Sequence, residues 1–266
     1  MRVLAVVAVL AAALGGIFYL LRSRTLAPAE PQGATIPSAM SQRVELKTKD
    51  NVAIVGDYYP STSLGAGAPA KGLLLLHMMP ADRTSWRAFA EKMQAAGWHA
   101  LAIDLRGHGQ SQGGPSGYKS FSDTEHQASR WDVEAGVEFL KEALRQSSGY
   151  KGEIYLGGAS IGANLALQYL AEHPEVKAAF LLSPGLDYRG VKTEAAAGSL
   201  KSGQSIFYIA SRDDSHSADT IQRLYDITPA GVRKEIKFFE TAGHGTTIFE
   251  REPQFMATMV RWLQDL

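Results

Sequence analysis

One serine in this chain has neighbours that would make it a nucleophile. Gly158-Ala159-Ser160-Ile161-Gly162 lies between a strand-like run, Ile154–Leu156, and a helical stretch from Ile161 to about Glu172. Small residues on both sides let a chain leaving a strand turn sharply, which lifts the hydroxyl clear of the sheet edge. A helix starting there points free N–H groups and its positive dipole end at the same place. A serine hydroxyl is a weak nucleophile without a general base. His244 is the best base among the seven histidines. It sits in Ala242-Gly243-His244-Gly245, just past the strand-like Glu235–Phe239, and its small neighbours leave the imidazole room to reach across. His99 begins a strand, at the wrong edge; His126 and His173 fall in or at the ends of helices; His216 is too near the candidate acid. A carboxylate must then orient the imidazole, and Asp213 and Asp214 both follow the strand-like Ser205–Ile209. The competing structural reading is an inert serine at a glycine-rich helix start, a solvated loop histidine, and an aspartate that caps the helix Ser217–Tyr225.

These residues need a scaffold that brings distant loops to one edge. Val44–Lys47 and Val52–Tyr59 read as a hairpin across Lys49-Asp50-Asn51. Leu73–Leu76, Ala100–Leu105, Ile154–Leu156, Ala178–Leu182, Ser205–Ile209 and Glu235–Phe239 are short apolar or mixed runs with strand character. Between them, Ser85–Ala96, Glu125–Ala143, Ile161–Glu172, Ala218–Tyr225 and Pro253–Leu266 have helical period. Strands alternating with helices predict an α/β fold with a mainly parallel central sheet and helices on both faces. Ligands in such sheets bind at the carboxyl ends of the strands. Ser160, His244 and the aspartate pair all fall just past such ends.

Composition narrows the function. Lys plus Arg and Asp plus Glu balance at 27 each, so no net field points to nucleic acid or to a strongly charged substrate. The absence of cysteine excludes disulfides, thiolate metal sites and a cysteine nucleophile. No motif asks for a metal or an organic cofactor, and oligomeric state is not readable from the chain.

The N-terminus has a different character. Val3–Leu21 is an unbroken apolar run flanked by Arg2, Arg22 and Arg24. As a helix it would be about 28 Å long, close to the hydrocarbon thickness of a bilayer. Residues 1–24 are therefore expected to form an apolar helix acting as a membrane anchor, with a cleaved signal segment as the other reading. Residues 25–42, rich in Ala, Pro, Gln and Ser, read as a linker, and 43–266 as the catalytic domain. Flanking arginines stand on both sides of the run, so orientation rests on the habit of short N-terminal tails to stay in the cytoplasm. That places the domain outside the cytoplasm, in the periplasm if the source is bacterial.

From about Val44 onward the chain resembles the α/β-hydrolase superfamily. The resemblance is carried by Gly158–Gly162 as a nucleophile elbow, by the order Ser160, aspartate, His244, and by Asp104-Leu105-Arg106-Gly107-His108-Gly109-Gln110-Ser111, which is similar to a loop many esterases and lipases carry before the elbow. It implies that Asp213, rather than Asp214, is the acid, and that Arg106 and His108 brace loops rather than react. It also implies an oxyanion hole made by the backbone N–H groups of Met79 and Ile161, where His77-Met78-Met79-Pro80 replaces the family's His-Gly. Leu186–Gln204 is too short for a helical cap domain, so the site is expected to be open, with Tyr118 and Phe121 as partial cover. The implied activity is hydrolysis of carboxylic esters of short to medium acyl length through an acyl-enzyme, on a small-molecule substrate. Acyl transfer, thioester or amide cleavage by the same residues, and a non-catalytic binding protein on this fold stand as alternatives.

Overall fold

The computed structural model describes residues 41–62, 69–148 and 152–266. The apolar run and nearly all of the linker lie outside them. Among the described residues no helix is long and apolar enough to cross a membrane.

Eight strands form one sheet in the order β1-β2-β4-β3-β5-β6-β9-β10. They are β1 (Gln42–Lys47), β2 (Ala53–Tyr59), β3 (Lys71–Leu76), β4 (His99–Ile103), β5 (Glu153–Ala159), β6 (Ala178–Leu182), β9 (Ser205–Ser211) and β10 (Arg233–Phe239). β1 and β2 pair antiparallel, as do β2 and β4; every other pairing is parallel. A separate two-stranded hairpin, β7 (Asp187–Tyr188) and β8 (Val191–Lys192), follows β6.

The apolar runs are continuous because both faces of the sheet are covered. Along β3, Leu74 and Leu76 join a core with Val133, Val137 and Leu140, while Leu73 and Leu75 join one with Trp86, Phe89 and Met93. The first layer is built from α3 (Arg130–Ser148), α4 (Ile161–Glu172) and α6 (Ser215–Ile227). The second holds α1 (Arg87–Ala95), entered through a 3₁₀ turn at Arg83–Trp86, and α8 (Phe255–Gln264). The remaining elements are the short helices α2 (Asp123–Gln127), α5 (Glu194–Ser199) and α7 (Thr247–Arg251) and a 3₁₀ turn at Gly117–Ser120. The single helix expected over Glu125–Ala143 is two: α2 starts at a reciprocal capping box between Ser122 and Glu125, and the chain restarts as α3 at Arg130.

The topology sets where a site can form. β4 lies on one side of β3 and β5 on the other, so the chain changes direction across the sheet at β3. The loop leaving β3, with Met78 and Met79, therefore stands beside the turn leaving β5, with Ser160. Further along the edge the exits stay aligned through backbone bonds. Ser160 N–H donates to Leu182 C=O (2.9 Å), Ser183 N–H to Ile209 C=O (2.8 Å), and Arg212 N–H to Phe239 C=O (2.8 Å).

Candidate active site

Ser160 occupies a backbone conformation that ordinary residues avoid, with φ 54° and ψ −120°. A serine serving as a helix cap has extended dihedrals and bonds an N–H of the first turn. Ser160 does neither: its side chain makes no capping bond. Strain of this kind costs on the order of 1–3 kcal/mol and persists only where the surroundings enforce it. Here they do, through glycines. A Cβ on Gly158 would overlap the Gly162 carbonyl, and one on Gly162 would overlap the carbonyl oxygens of Leu76 and His77. The turn is thus packed against itself and against the end of β3. Ser160 is only 6% exposed, which shelters its hydroxyl.

His244 meets Asp214. Its Nδ1 lies 2.6 Å from Asp214 Oδ2. An ionised carboxylate only accepts, so Nδ1 carries the proton and Nε2 is left as the basic nitrogen. Burial pushes the Asp214 carboxyl up, but contacts from His244 and Ser217 outweigh it and hold the group below the usual carboxylate range. The imidazole loop is fastened at three points. Ala242 N–H donates to Ser211 Oγ (2.7 Å), Gly245 N–H to Ser183 Oγ (3.0 Å), and Gly243 N–H to Asp213 Oδ1 (3.0 Å).

Asp213 therefore does not touch the imidazole, contrary to the expectation that made it the acid. Its carboxylate braces the backbone behind His244 and approaches Arg251 Nη1 at 3.4 Å. The reason is local. β9 runs on to Ser211, Arg212 and Asp213 form a turn, and only the next residue, at the start of α6, faces the site.

The expected oxyanion donors fall on adjacent elements. Neither Met79 N–H nor Ile161 N–H has an acceptor among the described residues. The loop carrying Met79 is held by His77, whose Nε2 accepts from Leu105 N–H (3.0 Å) while Nδ1 donates to Met78 C=O (2.9 Å). Burial pushes His77 down to about 4, so it stays neutral and keeps both bonds. Met78 packs against Gly245, next to the imidazole.

The loop after β4 is a brace. Asp104 accepts from Arg83 N–H (2.8 Å), Arg83 Nη1 (2.6 Å) and Gln110 N–H (2.7 Å). Arg106 clamps Asp132 on α3 and Asp50 in the β1–β2 turn. His108 stacks on Tyr118, with ring centroids 4.0 Å apart, and Phe121 packs on Gly107 and His126. Both aromatics pin this loop instead of covering Ser160.

The segment expected to hold at most a small loop carries a side chain to the site. The β7–β8 hairpin brings Tyr188 to the site, its ring 6.4 Å from that of His244 and its hydroxyl 3.4 Å from Ser217 Oγ. No periodicity marks this hairpin. Its two turn residues, Arg189 and Gly190, both have positive φ, a demand usually met by Asn-Gly or Asp-Gly. A groove of about 740 Å³ lies elsewhere, among Arg130, Trp131, Glu134, Gln168 and Glu172 on the α3–α4 face, and it includes none of Ser160, Asp214 or His244. Among the described residues no cluster of histidine and carboxylate side chains could hold a metal ion.

Residues 72–224 match the family model of the alpha/beta hydrolase fold. The chain belongs to that family. Solved structures agree on the fold. An esterase of Pyrococcus furiosus superposes with a TM-score of 0.66 at 20% identity, over 85% of this chain and 92% of that one. A dienelactone hydrolase of Anabaena variabilis gives 0.62 at 20%, over 85% and 95%. An acylaminoacyl peptidase of Pyrococcus horikoshii gives 0.63 at 15%, over 84% of this chain and 41% of that one. No curated relative matches by sequence.

Proposed function

We propose that this α/β-hydrolase-fold protein is a serine hydrolase that cleaves carboxylic esters through an acyl-enzyme. The observation that carries the reading is Ser160, held at φ 54° without a capping role, on the same sheet edge as an imidazole oriented by a carboxylate. Ser160 Oγ attacks the ester carbonyl while His244 Nε2 takes its proton. Asp214 stabilises the imidazolium and fixes its tautomer. The N–H groups of Met79 and Ile161 receive the negative oxygen, a contribution worth several kcal/mol in the transition state. His244 returns the proton to the leaving alcohol, and a water activated by the same nitrogen then hydrolyses the acyl-enzyme.

The segment after β6 holds only a hairpin and the short α5, so the acyl pocket is shallow, with Met78 as an adaptable apolar edge. Short to medium acyl esters are the substrates this suits. The apolar run at Val3–Leu21 supports a membrane anchor, with the domain on the non-cytoplasmic side.

Labelling with a fluorophosphonate probe tests the reading. Wild-type protein is expected to be labelled at Ser160 and to hydrolyse p-nitrophenyl esters, and Ser160→Ala to do neither with an unchanged circular dichroism spectrum. Ester turnover by Ser160→Ala within tenfold of wild type would overturn it.

A further inference from the structure

A second serine on this sheet edge shares the left-handed backbone of Ser160. Ser183, the residue that leaves β6, has φ 52°. Ala159 pairs with Leu182, so the two serines stand at neighbouring strand exits. Ser183 is followed by Pro184, and a proline pushes the residue before it to extended backbone, with φ of roughly −120°. A serine at positive φ before a proline therefore goes against two preferences at once. Such a conformation persists only where the surroundings over-determine it, and it collects where it serves a mechanism.

The chain is fixed on both sides of Ser183. Its N–H donates to Ile209 C=O (2.8 Å), which keeps it in line with the sheet. Two residues on, Gly185 N–H donates to Oδ1 of the fully buried Asn164 (3.0 Å), one turn into the helix that begins at the nucleophile. Gly185 C=O accepts from Thr193 Oγ1 (2.8 Å), and Asn164 Nδ2 donates to Val191 C=O (2.7 Å), so the hairpin is held as well. The turn out of β6 aims one group at the base loop: the fully buried Ser183 Oγ accepts from Gly245 N–H (3.0 Å), beside His244. Gly245 is where three exits meet. A Cβ on it would strike Met78 Sδ and touch Ala159 Cβ, so it packs between the loop that carries Met79 and the residue before Ser160. At the other end of the base loop, the fully buried Ser211 Oγ accepts from Ala242 N–H (2.7 Å). His244 thus sits between two hydroxyl anchors supplied by neighbouring strands, β6 and β9.

We infer that Ser183 is a positioning residue for the general base: its hydroxyl, presented by a strained backbone, sets where Gly245 and the His244 imidazole stand relative to Ser160. The inference rests on the serine-hydrolase reading. Glycine would take φ 52° without strain, but it would leave the buried Gly245 N–H without its acceptor. A serine here gives up stability and gains a fixed base. Without the hydroxyl, the bonds at Ala242 and Gly243 remain, so the loop is loosened and not lost. A misplacement of about 1 Å at a reacting group can still cost about 10²-fold in rate.

The test is steady-state kinetics on p-nitrophenyl acetate with the full chain in detergent, for wild type, Ser183→Gly and Ser183→Ala, each with its thermal midpoint. If the serine serves the fold alone, activity follows stability; if it positions the base, the two part. Both variants are expected to lose about tenfold or more in kcat with KM within about twofold. Ser183→Gly, free of the strain, is expected to melt above Ser183→Ala and yet to be no more active. Wild-type kcat in a folded Ser183→Gly protein, or a kcat that recovers with the midpoint from alanine to glycine, would overturn the inference. So would a Ser183→Gly chain that does not fold, because the hydroxyl would then hold the sheet and not the base. Should Ser183→Ala not fold, Ser183→Gly against wild type still decides. Fluorophosphonate labelling separates the two failures: no labelling of wild type at Ser160 removes the hydrolase reading, whereas labelling with a normal kcat in Ser183→Gly removes only the role of Ser183.

Discussion

His244 Nδ1 lies 2.6 Å from Asp214 Oδ2, while the neighbouring Asp213 carboxylate faces the other way, onto Gly243 N–H and Arg251. Asp214→Asn is therefore expected to lower kcat for aryl esters by about 10³- to 10⁴-fold, because an amide offers His244 the wrong tautomer. Asp213→Asn keeps an oxygen for Gly243 N–H and loses only an exposed ion pair, so a loss under about tenfold is expected. Steady-state kinetics of the two variants, side by side, decide it. A larger loss at Asp213 would return the acid's role to that residue.

Acid should weaken the fold through the two histidines behind the β3 and β4 exits. Burial pushes His77 and His108 each down to about 4, from an ordinary 6.5. Between those values the unfolded chain takes up protons that the native state refuses. Stability is then present above pH 6.5 and lost as pH falls toward 4, by on the order of 3 kcal/mol per histidine. Asp132, pushed up to about 6 by burial from 3.8, runs in the opposite sense over part of that window. The measurement is accordingly a difference: urea midpoints at pH 7 and pH 4.5 for wild type and for His108→Asn. The wild-type midpoint is expected to fall further between the two pH values than that of the variant. An equal fall in both would show that His108 is not the buried neutral group.

Removal of residues 1–41 is expected to leave a soluble, active protein. The motivation is the apolar run Val3–Leu21 and the Pro/Ala-rich stretch after it, together with a sheet whose first strand begins at Gln42. Gel filtration and esterase activity of the truncated chain, compared with the full chain in detergent, give the readout. An aggregated or inactive truncation beside an active full chain would make the N-terminal segment part of the working fold.

Acyl preference follows from how much of the chain can be buried. Each buried methylene adds about 0.8 kcal/mol, so specificity should rise with acyl length only until the shallow pocket is filled. A p-nitrophenyl ester series from acetate to palmitate is expected to peak at short to medium length in kcat/KM. Values still climbing at palmitate would overturn the shallow-pocket reading.

The sequence carried the parts of this site that depend on local chemistry. Small residues around Ser160, a strand before it and a helix after it are enough to specify the sharp turn, and the dihedrals of Ser160 have that form. The glycines around His244 were legible for the same reason. The central strands of the sheet were legible because they are covered on both faces, as the alternating destinations of Leu73, Leu74, Leu75 and Leu76 illustrate. Even the antiparallel β1–β2 pair followed from the turn residues between its two runs.

What only the tertiary structure decided is orientation. Adjacent carboxylates at 213 and 214 are the same group to any reading of composition or spacing, and the two-residue turn after β9 determines which one faces the imidazole. Tyr188 was silent for a related reason. Its contacts are with Ser217, His244 and Gly185, and the hairpin that presents it is held by Asn164, twenty-odd residues earlier on another element. Residue types and local periodicity specify elements, because those depend on near neighbours along the chain. Which side chain meets which across a sheet edge depends on register and turn geometry summed over the whole fold, and that sum exists only once the chain has closed.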